Sequence, residues 1–417
     1  MIRHLLHEVW NALSHYRLRT ILTLCSIIWG VASLVLLLAY GNGFGSAMMA
    51  AFDQIGKDLI VIFPGQTSLQ AGGERAGRRI QLELRDVEAL KEGVPTIEAV
   101  SPEVRRWLPV AYGPRTKNYS IAGVHAAFGR IRNAEVEDGR FLCDDDIRYR
   151  RRVAVIGATF KKELYNDRPA VGSIVKIKGV GFTVIGVLRK KTQITNYSTP
   201  DDMTAFVPLT TLSTMVDARY LNNIVVMPAS NRFRERFIES LRASLARAHR
   251  FSPRDERAVT IMDWNQFRSI VTALSTGLNL LLMIIGSLTL SIGAVGVINI
   301  MLVSVNERTR EIGVLRAIGA RRSHVLLQIM LEGLALTTTG GVAGILLALL
   351  LSQAMGSLPL LSALEQDPSG RADIRLAVSG LVVLIATCVL MLVGLAAALV
   401  PAMRAARLKP VEAIRGE

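Results

Sequence analysis

The sequence predicts an α-helical membrane protein with four transmembrane helices and a large α+β extracytoplasmic domain inserted between helices 1 and 2. Three observations lead there. Four apolar segments, Thr20–Tyr40, Gly277–Val305, Val325–Gln353 and Ala377–Met403, reach the roughly 20 residues that a helix needs to cross the hydrocarbon. Residues 41–276, between the first two, instead mix short β-rich runs with a few amphipathic helices. Basic residues are also distributed unevenly. Residues 1–19 hold Arg3, Arg17 and Arg19. The loop between the second and third segments holds Arg308, Arg310, Arg316, Arg321 and Arg322. The tail holds Arg404, Arg407, Lys409 and Arg415, whereas loop 356–376 holds only Arg371 and Arg375. The positive-inside rule therefore predicts both termini and the central loop in the cytoplasm, and residues 41–276 outside.

Composition supports this class. Half of the 417 residues are apolar and the mean hydropathy is +0.35. Residues 41–276 carry 35 Lys and Arg against 25 Asp and Glu, most of the formal net charge of +15. Long translocated domains are exempt from the positive-inside rule. A domain on the far side of a membrane rarely meets nucleic acid, so the excess points to solubility or to anionic lipid and acidic envelope polymers. Cys25 and Cys388 fall in membrane segments and Cys143 is alone outside, which excludes a disulfide framework. There is no G-x-x-x-x-G-K-[ST], His-Glu-x-x-His, nucleophile elbow or Cys-x-x-Cys. These residues offer no P-loop, so no ATP-binding or other cofactor site and no catalytic or metal site is expected in them.

In chain order, residues 2–18 read as an amphipathic interfacial helix (domain 1–19), with Leu5, Leu6, Val9, Leu13 and Tyr16 on one side. His4, His7 and His15 lack the accompanying carboxylates or cysteines of a metal site. The first span, 20–40, is expected to continue outward through Phe44, Met48, Phe52 and Ile55. Trp264, Phe267, Val271, Leu274 and Leu278 recur at the same helical spacing before the second span, 277–305. Paired, the two extensions form a stalk, although Gly41, Gly43 and Gly45 weaken the first by helix propensity. Between them, strands are expected at Asp58–Phe63, Val104–Tyr112, Asn118–Val124, Arg152–Ile156, Ile174–Lys178, Phe182–Leu188, Ala205–Val207 and Asn223–Met227. Helices are expected at Leu84–Glu92, Thr159–Tyr165, Thr210–Val216 and Arg232–His249. The remaining segments are a cytoplasmic loop at 306–324, spans at 325–355 and 377–403, a short outer loop at 356–376 and a tail at 404–417.

The loop after the second span, SVNERTREIGVLRAIGARR, is dense in charge. Read as a helix, it places Ile312, Leu315 and Ile318 on one face, and Gly319-Ala320 lets the backbone turn. From periodicity alone this is a charged hairpin between two membrane helices. The longer stretch Leu290–Ile345, and NERTREIGVLRAIGA above all, resembles the signature of MacB/FtsX-type ABC transporter permeases. IGKDLIVIFPG, VSPEV, EDGRFLCDDD, AVIGATFKKELY and VGSIVKIKGVGFTVIGVL, in that order, resemble the MacB-like periplasmic core domain. The resemblance implies that the loop carries a coupling helix that docks on a separate ATPase subunit, which binds the ATP. The coupling residues are then Glu307, Arg308, Arg310, Glu311, Ile312, Gly313, Leu315, Arg316, Ile318 and Gly319. It also implies a homodimer or a heterodimer with a related permease, in some members a periplasmic adaptor, and a subdomain inserted at roughly 115–205. In this family ATP-driven motion extrudes substrates from the periplasmic side, releases lipoproteins or regulates cell-wall enzymes.

Several further features have two readings. Cys143-Asp144-Asp145-Asp146 is either a hard-cation site or a solvated turn; without EF-hand spacing the turn is favoured. Arg148–Arg152 is a solvated strand entry or a contact for lipid or an acidic partner. Glu332, the only acidic or basic residue in the four apolar segments, is a proton or substrate site, or a structural group reachable by Arg321 or Arg322. The structural role is favoured. Ser287/Ser291, Gly340/Gly344 and Gly394/Ala398 are small-xxx-small steps that serve intrachain packing or dimerisation. A secondary transporter would need more mid-membrane polar groups than Glu332, and a receptor or scaffold gives no reason for the coupling-loop match.

Overall fold

A computed structural model describes residues 17–54, 56, 58–71, 73–166, 168–191, 197–359 and 373–408, with side chains from residue 21 onward. The amphipathic helix expected at 2–18, its histidines and most of the tail lie outside these residues. The chain divides into two units. One comprises Met1–Ala47, Thr272–Leu360 and Asp373–Glu417; the other comprises Met48–Val271 and Leu361–Ala372.

Helix α1 (Arg17–Asp53) runs unbroken through the expected first span and on through Phe52. The second unit then contains β1 (Ile60–Pro64), α2 (Leu84–Gly93), β2 (Ile97–Tyr112), β3 (Arg115–Val124), α3 (Ala127–Ile131) and β4 (Val136–Gly139). These are followed by α4 (Asp144–Arg148), β5 (Val153–Ile156), α5 (Ala158–Tyr165), β6 (Ile174–Ile177) and β7 (Val180–Leu188). Finally come β8 (Thr204–Pro208), α6 (Leu209–Leu212), β9 (Asn223–Pro228), α7 (Arg234–His249) and β10 (Val259–Asp263). The strands form a ten-stranded sheet in the order β10-β1-β9-β2-β3-β8-β5-β7-β4, with β6 beside β2 and β7. Pairs β3–β8 and β5–β7 are parallel and the rest antiparallel, an α+β arrangement.

All eight expected strands are present; β4 and β10, which were not expected, are the two edges of the sheet. An edge strand is covered less completely, so its alternation is weaker. β4 is the polar run VEDG. Within the sheet, successive residues supply two cores. Ile60, Ile62, Ile121, Ile224 and Val226 enter one, with Leu90 of α2 and Leu241 of α7. Leu59, Val61, Ala122, Val124 and Val225 enter the other, with Phe128, Phe206 and Trp264. That period of two is what a strand buried on both faces requires.

The Cys143–Asp146 stretch is not a solvated turn. It opens helix α4, and the Asp146 carboxylate is wholly buried. It accepts the Cys143 amide at 3.0 Å and hydrogen bonds from Arg140 at 2.6 and 3.1 Å, with Arg151 at 3.4 Å. Burial alone would raise its pKa, but the hydrogen bonds from Arg140 and Cys143 hold it down at about 2. Arg148 and Arg151 lie over the exposed Tyr149 ring, at 5.8 and 5.7 Å from its centroid.

A second ionic cluster has no counterpart among the expectations. Buried Arg132 pairs with Asp201 at 2.9 Å and stacks 4.9 Å from the Tyr197 ring. Lys191 reaches the Arg132 carbonyl at 2.8 Å, and the Tyr197 hydroxyl donates to Glu103 at 2.8 Å. Burial pushes Asp202 up to about 7, against the amide hydrogen bond from Lys191, and pushes Lys191 down to about 8. Tyr197 meets Trp264 edge-on at 6.0 Å. Trp264 contacts Phe267 at 5.4 Å, and Phe267 stacks on Phe52 at 6.4 Å. The aromatic contact expected of the two helical extensions is thus present in this unit.

Helix α8 (Trp264–Glu307) belongs to the first unit from Thr272 onward, and that unit adds α9 (Thr309–Ala317), α10 (Arg322–Met355), the short pair β11 (Ser357–Leu358) and β12 (Ile374–Arg375), and α11 (Gly380–Ala406). Four helices, α1, α8, α10 and α11, are long and apolar enough to cross a membrane. The glycines of α1 that propensity counts against a helix are sites of close approach. A Cβ at Gly41 would lie 2.1 Å from the Asn279 side-chain oxygen, and one at Gly43 would lie 2.5 Å from the Arg375 carbonyl. Two of the small-xxx-small steps serve intrachain packing. Gly340 and Gly344 face Ile27, Ile28 and Val31 of α1, and Gly394 and Ala398 face Thr337 and Gly333 of α10. Ser287 and Ser291 donate to carbonyls of their own helix, Met283 and Ser287. Helix α11 starts at Gly380 rather than Ala377, because the Ser379 hydroxyl caps the Val382 amide.

Candidate functional site

The residues singled out by sequence gather where α8 ends, α9 follows and α10 begins. Glu307 closes α8. Arg308 then leaves helical geometry, at φ −93° and ψ 14°, and α9 runs from Thr309 to Ala317. The break costs little hydrogen bonding. The Thr309 hydroxyl donates to the carbonyls of Val305 and Asn306, and the Arg308 amide still reaches Ser304 at 3.1 Å. At the other end Gly319 takes φ 104°, a conformation that favours glycine, with open space around it. The Gly319 amide donates to Arg316 at 3.2 Å and the Ala320 amide to Leu315 at 3.0 Å. That pair of bonds is a Schellman ending, which stops α9 sharply and returns the chain into α10.

The expected single apolar face is divided. Ile312 is buried and joins Val305, Val325, Ile329 and Ala405 in the core of this unit, and Gly313 beside it is buried as well. Leu315 is 42% exposed and Ile318 is 78% exposed, and Ile318 lies just past the helix. The outward surface therefore consists of Glu307, Arg310, Glu311, Val314, Leu315 and Ile318.

Two arginines turn inward instead. Arg308 faces Glu332 of α10 at 3.5 Å, with the side chains one-third and one-sixth exposed. Glu332 thus has a guanidinium partner, but it is Arg308 rather than Arg321 or Arg322. A cavity of about 250 Å³ lies over this pair, lined by Ser304, Glu311, Ile312, Leu315, Gln328 and neighbouring residues. Arg316 donates to the Ala406 carbonyl at 3.2 Å and also to the Leu408 carbonyl, where α11 ends. The site is therefore a short, sharply bounded helix held by side chains to the helices around it, with a mixed apolar and charged surface outward. No group of three or more His, Cys, Asp or Glu that could hold a metal ion occurs among the described residues.

The chain has relatives among known proteins. The sequence profile of the MacB-like periplasmic core domain matches residues 20–244, and that of the FtsX-like permease C-terminal domain matches residues 283–410. The chain is 30% identical over 422 residues to a macrolide export ATP-binding/permease protein MacB of Bdellovibrio bacteriovorus, covering 100% of this chain and 62% of that protein. It is 32% identical over 404 residues to the protein of the same name from Vibrio parahaemolyticus, covering 97% of this chain and 58% of that one. The chain thus spans about three-fifths of the length of these relatives. Among solved structures, the periplasmic region of MacB from Actinobacillus actinomycetemcomitans is 20% identical, with a TM-score of 0.43, and the match covers 52% of this chain and 94% of that one.

Proposed function

The chain belongs to the family that joins a MacB-like periplasmic core domain to an FtsX-like permease domain, and on that premise we propose that it is the membrane subunit of a MacB-like ABC transporter. It transmits ATP-driven motion from a separate cytoplasmic ATPase to its outer domain, for efflux of a substrate taken from the periplasmic side. The observation that carries this reading is the outward surface of α9. Val314, Leu315 and Ile318 are exposed beside Glu307, Arg310 and Glu311, on a helix whose other side is fixed to the bundle. Exposed apolar side chains rimmed by charge are what a docking surface looks like before its partner arrives. The orientation with both termini and α9 in the cytoplasm of a bacterial inner membrane rests on the arginine distribution.

A dimer completes the assembly, as a homodimer or with a related permease. On α8, Leu274, Gly277, Leu281, Ile284, Leu288, Ser291 and Val295 are all exposed, at alternating steps of three and four residues. That spacing matches the seam of a left-handed helix pair and supports the dimer reading. A periplasmic adaptor is a further partner by analogy with the efflux members. Co-purification of the chain with its ATPase tests the reading. Wild type should retain the ATPase, and Leu315→Ala, Ile318→Ser or Glu311→Lys should weaken retention by about tenfold, as loss of one buried interface contact does. A wild-type chain that recruits no ABC ATPase, or three variants that bind like wild type, would remove the assignment.

A further inference from the structure

The side chain of Arg316 does not belong to the outward surface. It is half-buried and directed at the end of α11, ninety residues away in sequence. A helix ends with carbonyls that have no partner of their own, and a cation there also meets the negative end of the helix dipole. Arg316 supplies both. One side of the turn that it holds is buried: Ala402, Ala405 and Ala406 are covered, and Ala402 and Ala405 pack in the same core as Ile312. One turn earlier Pro401 sits inside α11, where the ring removes a backbone hydrogen bond and makes a bend easier. The last turn of α11 is thus tied to α9 and joined to its own helix through a weakened step.

We propose that Arg316 is a positioning residue that latches the coupling helix to the end of the fourth span, so that displacement of α9 moves the terminal turn of α11 about Pro401. The α8 connection through Arg308 is then one of two outputs. This inference rests on α9 being the element that the ATPase moves, and the experiment has two arms so that the two ideas fail separately. In the first, the chain alone in nanodiscs undergoes hydrogen–deuterium exchange. Arg316→Ala should speed exchange across Ala402–Leu408 by about tenfold, Arg316→Lys should fall between, and Val382–Leu390 should not change. In the second, spin labels at the exposed positions Ala317 and Arg404 report the α9–α11 distance with the ATPase present. Wild type should keep one distance with and without trapped ATP. Arg316→Ala should show a nucleotide-dependent shift. If Arg316→Ala does not insert, Arg316→Gln, which is shorter and uncharged but keeps an amide donor, takes its place. Unchanged exchange at Ala402–Leu408 overturns the latch, and so does a fixed Ala317–Arg404 distance in the variant under both conditions. A wild-type chain that retains no ATPase overturns the docking reading, while the first arm still decides the latch.

Discussion

Breaking the Arg308–Glu332 pair gives the clearest quantitative expectation from the site. Fully exposed ion pairs contribute about 0.2–1 kcal/mol, and removing one member of a buried pair costs about 3–5 kcal/mol. With side chains one-third and one-sixth exposed at 3.5 Å, this pair lies between those limits, at about 1–2 kcal/mol of coupling. The single variants should differ. Arg308→Ala leaves the Glu332 carboxylate in an apolar helix with its guanidinium gone, and should cost about 2 kcal/mol. Glu332→Gln keeps a hydrogen-bond acceptor and removes the charge, and should cost about 1 kcal/mol. The double variant should then cost less than the sum of the two. The measurement is a double-mutant cycle on SDS-driven unfolding in mixed micelles, followed by far-UV circular dichroism. Single effects that add to within about 0.3 kcal/mol, or an equal coupling of Glu332 to Arg321, would refute the pairing.

Four further outcomes follow from the packing and the charges. Ile312→Ala should destabilise the chain by about 2–4 kcal/mol, because the side chain is buried, whereas Leu315→Ala should cost less than about 1 kcal/mol in the same unfolding assay. Gly344→Val places a Cβ 2.8 Å from the Ile28 carbonyl and 2.8 Å from the Val31 Cβ; unfolding should show a loss of about 2 kcal/mol or more. Burial raises Asp202 from 3.8 to about 7, so the folded state holds this proton more tightly than the unfolded chain. Its contribution is largest below pH 4 and is lost as pH rises to 7. The stability gained by Asp202→Asn over wild type should therefore grow between pH 4 and 7, to at most about 4 kcal/mol, and level off above; melting curves that shift in parallel would contradict it. In a variant free of Cys25, Cys143 and Cys388, an impermeant thiol reagent should label Thr116→Cys in intact cells and leave Ile318→Cys unlabelled. The reverse pattern would overturn the orientation.

What the sequence made legible follows from how far each signal reaches along the chain. The spans and the eight inner strands are periodic over their own length, so they can be read locally. The edge strands β4 and β10 are covered less, and their residues alternate too little to stand out. Ile312, Leu315 and Ile318 illustrate a limit of periodicity. Steps of three advance a helix by 300°, so the three positions spread over about a third of the circumference. One side of that stripe meets the bundle and the other is exposed, and the helix ends before Ile318. Gly41 and Gly43 are misleading by propensity because their neighbours, Asn279 and Arg375, are distant in sequence. The same holds for Arg316 and the carbonyls of α11, and for Arg132 with Asp201. None of these contacts has a local signature. Asp146 did have one: an acidic residue three positions after Cys143, with Arg140 and Arg151 close in sequence, is the pattern of an anchored helix start.

The central claim is that ATP acting at α9 changes the arrangement of the outer domains. Its most direct measurement is a spin-label distance between the two copies of Thr116→Cys in the reconstituted dimer with its ATPase, with and without trapped ATP. The account predicts that ATP shifts the distribution and that Ile318→Glu abolishes the shift while the outer domain stays folded. Identical distributions with and without ATP in the wild-type assembly would contradict it.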